Sequence, residues 1–137
     1  MVKEIIKDQN ILKTVSVDAT RKDMQVVRDL EDTLKANQEI CVGLAANMIG
    51  ECKKIMCLYD NTKLITMINP KIIGHSSEAY EVEEGCLSLE GVTKTYRYKT
   101  VTVKFFDKTW KAKTITYSGF TAEIIQHEID HFNGVLI

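Results

Sequence analysis

Along residues 17 to 38, Met24, Val27, Leu30 and Leu34 recur three or four positions apart between charged residues. That spacing predicts an amphipathic helix with Asp18 or Thr20 available as its cap. The period then changes. Residues 55–59 and 64–68 are short apolar runs on either side of Asp60-Asn61-Thr62-Lys63, a turn-forming composition, and predict a β-hairpin. Residues 100–106 and 112–117 are rich in β-branched and aromatic side chains and predict a second hairpin around Asp107-Lys108-Thr109-Trp110. Helical spacing returns with Phe120, Ile124, Ile125, Ile129 and Phe132, and Gly134 can supply the left-handed residue that ends a helix over about 120–133. The expected fold class is α+β: an N-terminal helix and a C-terminal helix packed with a mixed or antiparallel sheet.

The chain has 137 residues, the length of one domain over 1–137, and it contains no repeat or low-complexity tract. Its 18 Lys plus Arg against 19 Asp plus Glu give a net charge of -1, too balanced to drive binding to phosphate backbones or anionic lipid. Direct nucleic-acid and membrane partners are not expected. The first residues, Met1-Val2-Lys3-Glu4, do not resemble a secretion signal, so the expected location is the cytoplasm. Four cysteines at 41, 52, 57 and 86 would remain thiols there.

The chemistry sits on the last predicted helix. In Gln126-His127-Glu128-Ile129-Asp130-His131 the two histidines are four residues apart, so a helix turns both to one face. Two imidazoles so placed suit a divalent metal, and the intervening glutamate is close enough to exchange protons with a coordinated water. A catalytic site of this kind has three protein ligands. Downstream of His131 only Phe132-Asn133-Gly134-Val135-Leu136-Ile137 remains, and Val135-Leu136-Ile137 offers no coordinating side chain, so the third ligand is expected upstream. Cys86 is the best candidate because Gly85 beside it lets the backbone turn sharply or approach closely. Cys52 and Cys57 read as small buried hydrophobes, and His75 as an exposed loop residue.

Three stretches taken together resemble the peptide deformylase family: residues 41–50, Cys-Val-Gly-Leu-Ala-Ala-Asn-Met-Ile-Gly; residues 84–88, Glu-Gly-Cys-Leu-Ser; and residues 126–131, Gln-His-Glu-Ile-Asp-His. The resemblance implies removal of the N-formyl group from N-formylmethionyl nascent peptides, releasing formate. It implies one divalent ion held by Cys86, His127 and His131, ferrous iron in many members, with zinc, nickel or cobalt able to take its place. Glu128 would be the general acid and base, and the backbone N–H of Leu87 would meet the oxyanion. Val42, Gly43 and Leu44 would line the substrate cleft, and Val82, Phe120, Ile124 and His127 would surround the methionine side chain.

The first stretch departs from the family at Met48, where a glutamine would donate a hydrogen bond to the oxyanion. A thioether cannot donate, and losing one such donor costs about 10²–10³ in turnover in other hydrolases. The resemblance therefore implies a weakened deformylase, a protein that binds metal and formyl peptide with little turnover, or an oxyanion met by other donors. Cys41 replaces the family's first glycine, which either alters the cleft wall or, the preferred reading, packs as a small residue. Arg97 stands where the family often pairs an arginine with the glutamate of the second stretch, here Glu84; the alternative is a solvated cation. The extra C-terminal helix that some bacterial members use near the ribosome is missing, so the resemblance gives no basis for ribosome docking.

Overall fold

The computed structural model describes residues 1–137. A short helix α1 (Gln9–Leu12) is followed by a 3₁₀ turn at Arg21–Asp23 that runs into α2 (Met24–Ala36). Strand β1 (Gly43–Ala45) leads into a second 3₁₀ turn (Ala46–Ile49), and then come β2 (Ile55–Asp60), β3 (Lys63–His75), β4 (Ala79–Cys86), β5 (Leu89–Tyr98), β6 (Thr100–Phe106), β7 (Ala112–Ser118) and α3 (Gly119–Phe132). Five strands form one sheet in the order β1-β2-β3-β6-β7, and β4 and β5 form a separate two-stranded sheet. Every strand pair is antiparallel. No helix is long and apolar enough to cross a membrane.

The large sheet is covered on both faces, which explains the continuous apolar run of β2. Ile55 and Cys57 join Val27, Leu30, Leu34 and Leu44 in a core against α2. Met56 and Leu58, pointing the other way, join Val101, Val103, Ala122 and Ile125 in a core against α3. Val27, Leu30 and Leu34 are almost fully buried, and burial of side chains of this size is worth roughly 1.5–3 kcal/mol each.

Three expectations are corrected. The first helix begins at Met24 rather than near residue 17, because Val17 instead exchanges backbone hydrogen bonds with Cys52 and Lys54 beside the sheet. Of the two expected caps Thr20 is the one used, ahead of the helix proper: its Oγ1 accepts from the Lys22 N–H in the 3₁₀ turn, and its own N–H donates to the Asp23 carboxylate. The first hairpin turns on Asn61-Thr62 alone, since Asp60 and Lys63 are already paired and Asn61 takes φ 58°. Strand β3 continues through Pro70 by a bulge at Asn69, so His75 ends a strand and stacks on Tyr98 with ring centroids 3.7 Å apart.

Helix α3 ends at Phe132, and Gly134 follows at φ 73° against the backbone of Lys13. A Cβ at Gly134 would lie 2.2 Å from the Lys13 carbonyl oxygen. Gly134→Ala is therefore expected to cost about 2 kcal/mol or more, a fall of roughly 6–8 °C in Tm by thermal melting. An unchanged melt would show that the α1 end yields without cost.

Candidate metal centre and catalytic cavity

Cys86 ends β4, His127 and His131 stand one turn apart on α3, and one ligand atom from each lies within 4.8 Å of the other two. The ligands come from two different elements. What joins them is a set of bonds from α3 to the β4–β5 hairpin. Gln126 clamps the backbone of Tyr98, accepting from its N–H at 2.8 Å and donating to its carbonyl at 2.9 Å. Arg97 on β5 donates to Glu84 on β4 through Nη2 at 2.6 Å and to Asp130 on α3 through Nη1 at 2.7 Å. Arg97 is thus a buried bridge rather than a solvated cation.

Each histidine is oriented by a bond from its other nitrogen. His127 Nδ1–H donates to Glu84 at 2.7 Å, which leaves Nε2 as the lone-pair atom. His131 Nε2–H donates to the Ile137 carbonyl at 3.0 Å, which leaves Nδ1. Asn47 adds a bond from Nδ2 to the His131 carbonyl at 3.1 Å, tying the first motif to the third. The Ser88 N–H points at Cys86 Sγ from 3.4 Å.

These contacts set the ionisation of the group. Burial opposes a charged Cys86, but the two imidazoles outweigh it and bring the thiol down to about 6. Burial likewise opposes imidazolium, yet Cys86 and Glu84 hold His127 up at about 9, and Glu128 and Cys86 hold His131 up at about 11. Glu84 is buried but held down at about 2 by His127 and Arg97. Glu128, wholly enclosed, is kept below the ordinary carboxylate range chiefly by His131. The cluster is built around positive charge that its thiolate and carboxylate require.

A divalent cation fits this donor set. His131 Nδ1 and Glu128 Oε1 are 3.0 Å apart, but both are buried and neither makes a hydrogen bond. Soft thiolate with two imidazoles suits zinc, iron, cobalt or nickel rather than magnesium or calcium. Replacing Arg97 by Ala leaves the Glu84 carboxylate buried without its strongest partner. The expected cost is about 3–5 kcal/mol in chemical denaturation together with weaker metal retention on dialysis. Stability within 1 kcal/mol of the parent would show that the bridge is dispensable.

Cys86 and His127 open on a cavity of about 460 Å³. Val42, Gly43, Met48, Leu87, Phe120, Ile124, His127 and Glu128 line it. Gly43 is there because nothing larger fits: a Cβ would lie 2.7 Å from Ile124 and 3.1 Å from Glu128. Met48 is 1% exposed and faces both the cavity and the α2 core. Leu87 and Ser88 form the two-residue turn between β4 and β5, and the Leu87 carbonyl accepts from Lys7 Nζ.

Two expected lining residues are elsewhere. Leu44 alternates with Gly43 along β1 and is fully buried against α2, because successive strand residues face opposite sides. Val82 lies two positions before Glu84 on β4, beyond the lining. Cys41, expected to be packed away, is on the cavity wall, where burial and Glu128 push its thiol up to about 12. Glu83 and Glu123 also line the cavity and were missed, since an isolated carboxylate on a strand or helix reads as solvent-facing.

Similarity to known proteins agrees with this geometry. The family model for polypeptide deformylase matches residues 2–137. The chain is 50% identical over 137 residues to the peptide deformylase of Clostridium beijerinckii, covering all of both chains. It is 35% identical over 140 residues to that of Rhizobium meliloti, covering 96% of this chain and 80% of the relative. The class I type b peptide deformylase of Acinetobacter baumannii, solved with Met-Ala-Ser bound, has a TM-score of 0.90 at 27% identity, covering 99% of this chain and 97% of that one. A peptide deformylase from Legionella pneumophila has a TM-score of 0.88 at 32% identity, covering 99% and 83%. With its fold, its Cys-His-His cluster and its sequence all in agreement, the chain belongs to the polypeptide deformylase family of metal-dependent hydrolases.

Proposed function

We propose that this protein hydrolyses the formyl amide of N-formylmethionyl peptides, releasing formate and a free amino terminus. The observation that carries the reading is the convergence of Cys86, His127 and His131 within 4.8 Å beside the buried Glu128, at the wall of a cavity large enough for a peptide end. Cys86 Sγ, His127 Nε2 and His131 Nδ1 would hold a divalent ion, ferrous iron under physiological conditions, with zinc, nickel or cobalt as substitutes. Such an ion polarises a carbonyl and acidifies water.

The remaining steps belong to the chain. Gly43 and Ile124 shape the slot that brings the formyl group against the cluster. Glu128 takes the proton of the attacking water and returns it to the departing nitrogen. The C–N bond breaks, and formate leaves with the second oxygen. Leu87, in the turn directly after Cys86, offers its N–H to the oxyanion. Phe120 and Ile124 give the methionine side chain its apolar contact.

Anaerobically purified, iron-loaded protein is expected to release formate from formyl-Met-Ala-Ser, and a chelator is expected to abolish the release. No formate from the loaded protein would overturn the reading. Met48, buried at the cavity wall with no donor to offer, favours a second reading in which metal and formyl peptide bind but turn over slowly.

A further inference from the structure

The turn between β4 and β5 carries the Leu87 N–H that the proposed reaction uses, and the fold holds that turn by little. Neither Leu87 nor Ser88 makes a backbone–backbone hydrogen bond. Two other bonds reach the turn, and both fall on the one peptide unit that joins these residues. Its N–H, from Ser88, points at Cys86 Sγ from 3.4 Å. Its carbonyl, from Leu87, accepts from Lys7 Nζ, 80 positions earlier in the chain.

Lys7 can reach the turn because its neighbours are fixed. Ile6 donates its N–H to the Met48 carbonyl at 2.8 Å, and Ile5 packs against the α2 core. Asp8 caps α1, accepting from the Asn10 N–H at 2.9 Å. Residues 5–8 therefore brace the first motif against the second, with backbone on Met48 and side chain on Leu87. A cation on a peptide oxygen polarises the unit and strengthens its N–H as a donor. That N–H faces the Cys86 sulfur. Pinning the Leu87 carbonyl on one side, while Cys86 pairs with Leu89 on the other, also fixes the direction of the Leu87 N–H.

Resting on the deformylase reading, we propose that Lys7 is a positioning residue whose ammonium holds the Leu87–Ser88 peptide, so that the Leu87 N–H meets the oxyanion and the Ser88 N–H meets the Cys86 thiolate. With Met48 unable to donate, the aim of the Leu87 N–H matters more than it would beside a glutamine.

Lys7→Met keeps the side chain's reach and removes its charge. In iron-loaded protein it is expected to lower kcat on formyl-Met-Ala-Ser about tenfold with KM within about twofold, because what is lost acts in the transition state. Lys7→Arg, which can still donate to the carbonyl, is expected to bring kcat back to within about threefold of the parent. A purely structural brace would lower Tm and leave kcat per folded molecule alone. A second readout does not need turnover. In cobalt-substituted protein the thiolate-to-cobalt absorption band is expected to move to longer wavelength in Lys7→Met and to return in Lys7→Arg, since a sulfur with a weaker hydrogen bond gives charge to the ion more readily. A kcat for Lys7→Met within about twofold of the parent overturns the proposal, as does a band that stays in place or an arginine variant no better than the methionine one. Should Lys7→Met fail to fold, Lys7→Leu carries the same comparison. If the parent itself releases no formate, the deformylase reading fails on its own, and the cobalt band alone decides whether Lys7 acts on the Cys86 sulfur.

Discussion

Glu128→Ala is expected to reduce formate release from formyl-Met-Ala-Ser by roughly 10³-fold or more while leaving bound metal per protein unchanged. Proton transfer by a positioned carboxylate contributes about 10²–10⁴ in rate, and Glu128 is the one carboxylate beside His131 that is not committed to orienting a ligand. Cys86, His127 and His131 keep their orienting bonds in this variant, since the Ser88 N–H meets Cys86, Glu84 holds His127 and the Ile137 carbonyl holds His131. Metal analysis alongside steady-state kinetics separates loss of the base from loss of the ion. Activity within about threefold of the parent would sink the assignment of Glu128 as acid and base. Glu128→Gln, which keeps the volume between Gly43 and His131, is expected to behave the same way, showing that ionisation and not packing is at stake.

Met48→Gln is expected to raise kcat by about 10²–10³ with little change in KM, because an amide would add a donor where charge develops in the transition state. The same substitution is expected to lower stability modestly. Met48 is 1% exposed and packs with Leu44, Ile55 and Cys57, so the amide must satisfy itself toward the cavity side. Met48→Leu, which adds no donor, serves as the control and should leave kcat where it is. If Met48→Gln gives no increase, the oxyanion is already met by the Leu87 N–H and the ion, and the slow-turnover reading falls.

The metal ligands were legible in the sequence because their spacing has a period. His127 and His131 could only share a face if residues 120–133 were helical, and the apolar pattern of that segment said so independently. Cys86 followed from the shortage of ligands downstream and the flexible Gly85. The α2 and α3 cores and both hairpins of the large sheet were legible for the same reason: their apolar residues are regular.

The β4–β5 sheet was not. Glu81, Glu83, Lys94 and Tyr96 are exposed, so its strands bury too little apolar surface to show a period, and only the finished ladder reveals them. Leu44 was misplaced by taking neighbours in a motif to be neighbours in space, which strand alternation forbids. Arg97 could not be decided from its own position, since a buried bridge and a solvent cation look alike until Glu84 and Asp130 are both found within reach. Glu123 was passed over because a lone acid in an apolar stripe resembles the helix's wet edge.

The division into two sheets has a mechanical meaning. The β4–β5 hairpin exchanges no ladder bonds with the main sheet, and it carries one ligand while α3 carries the other two. A cation gripped by all three is therefore a clasp across a seam that the fold closes with a few polar ties and the packing of Cys86, Leu87 and Tyr98 on the two cores. Occupancy of the centre and ordering of the hairpin are one linked equilibrium: whatever loosens the flap weakens the grip, and each bound ion returns part of its binding free energy as rigidity.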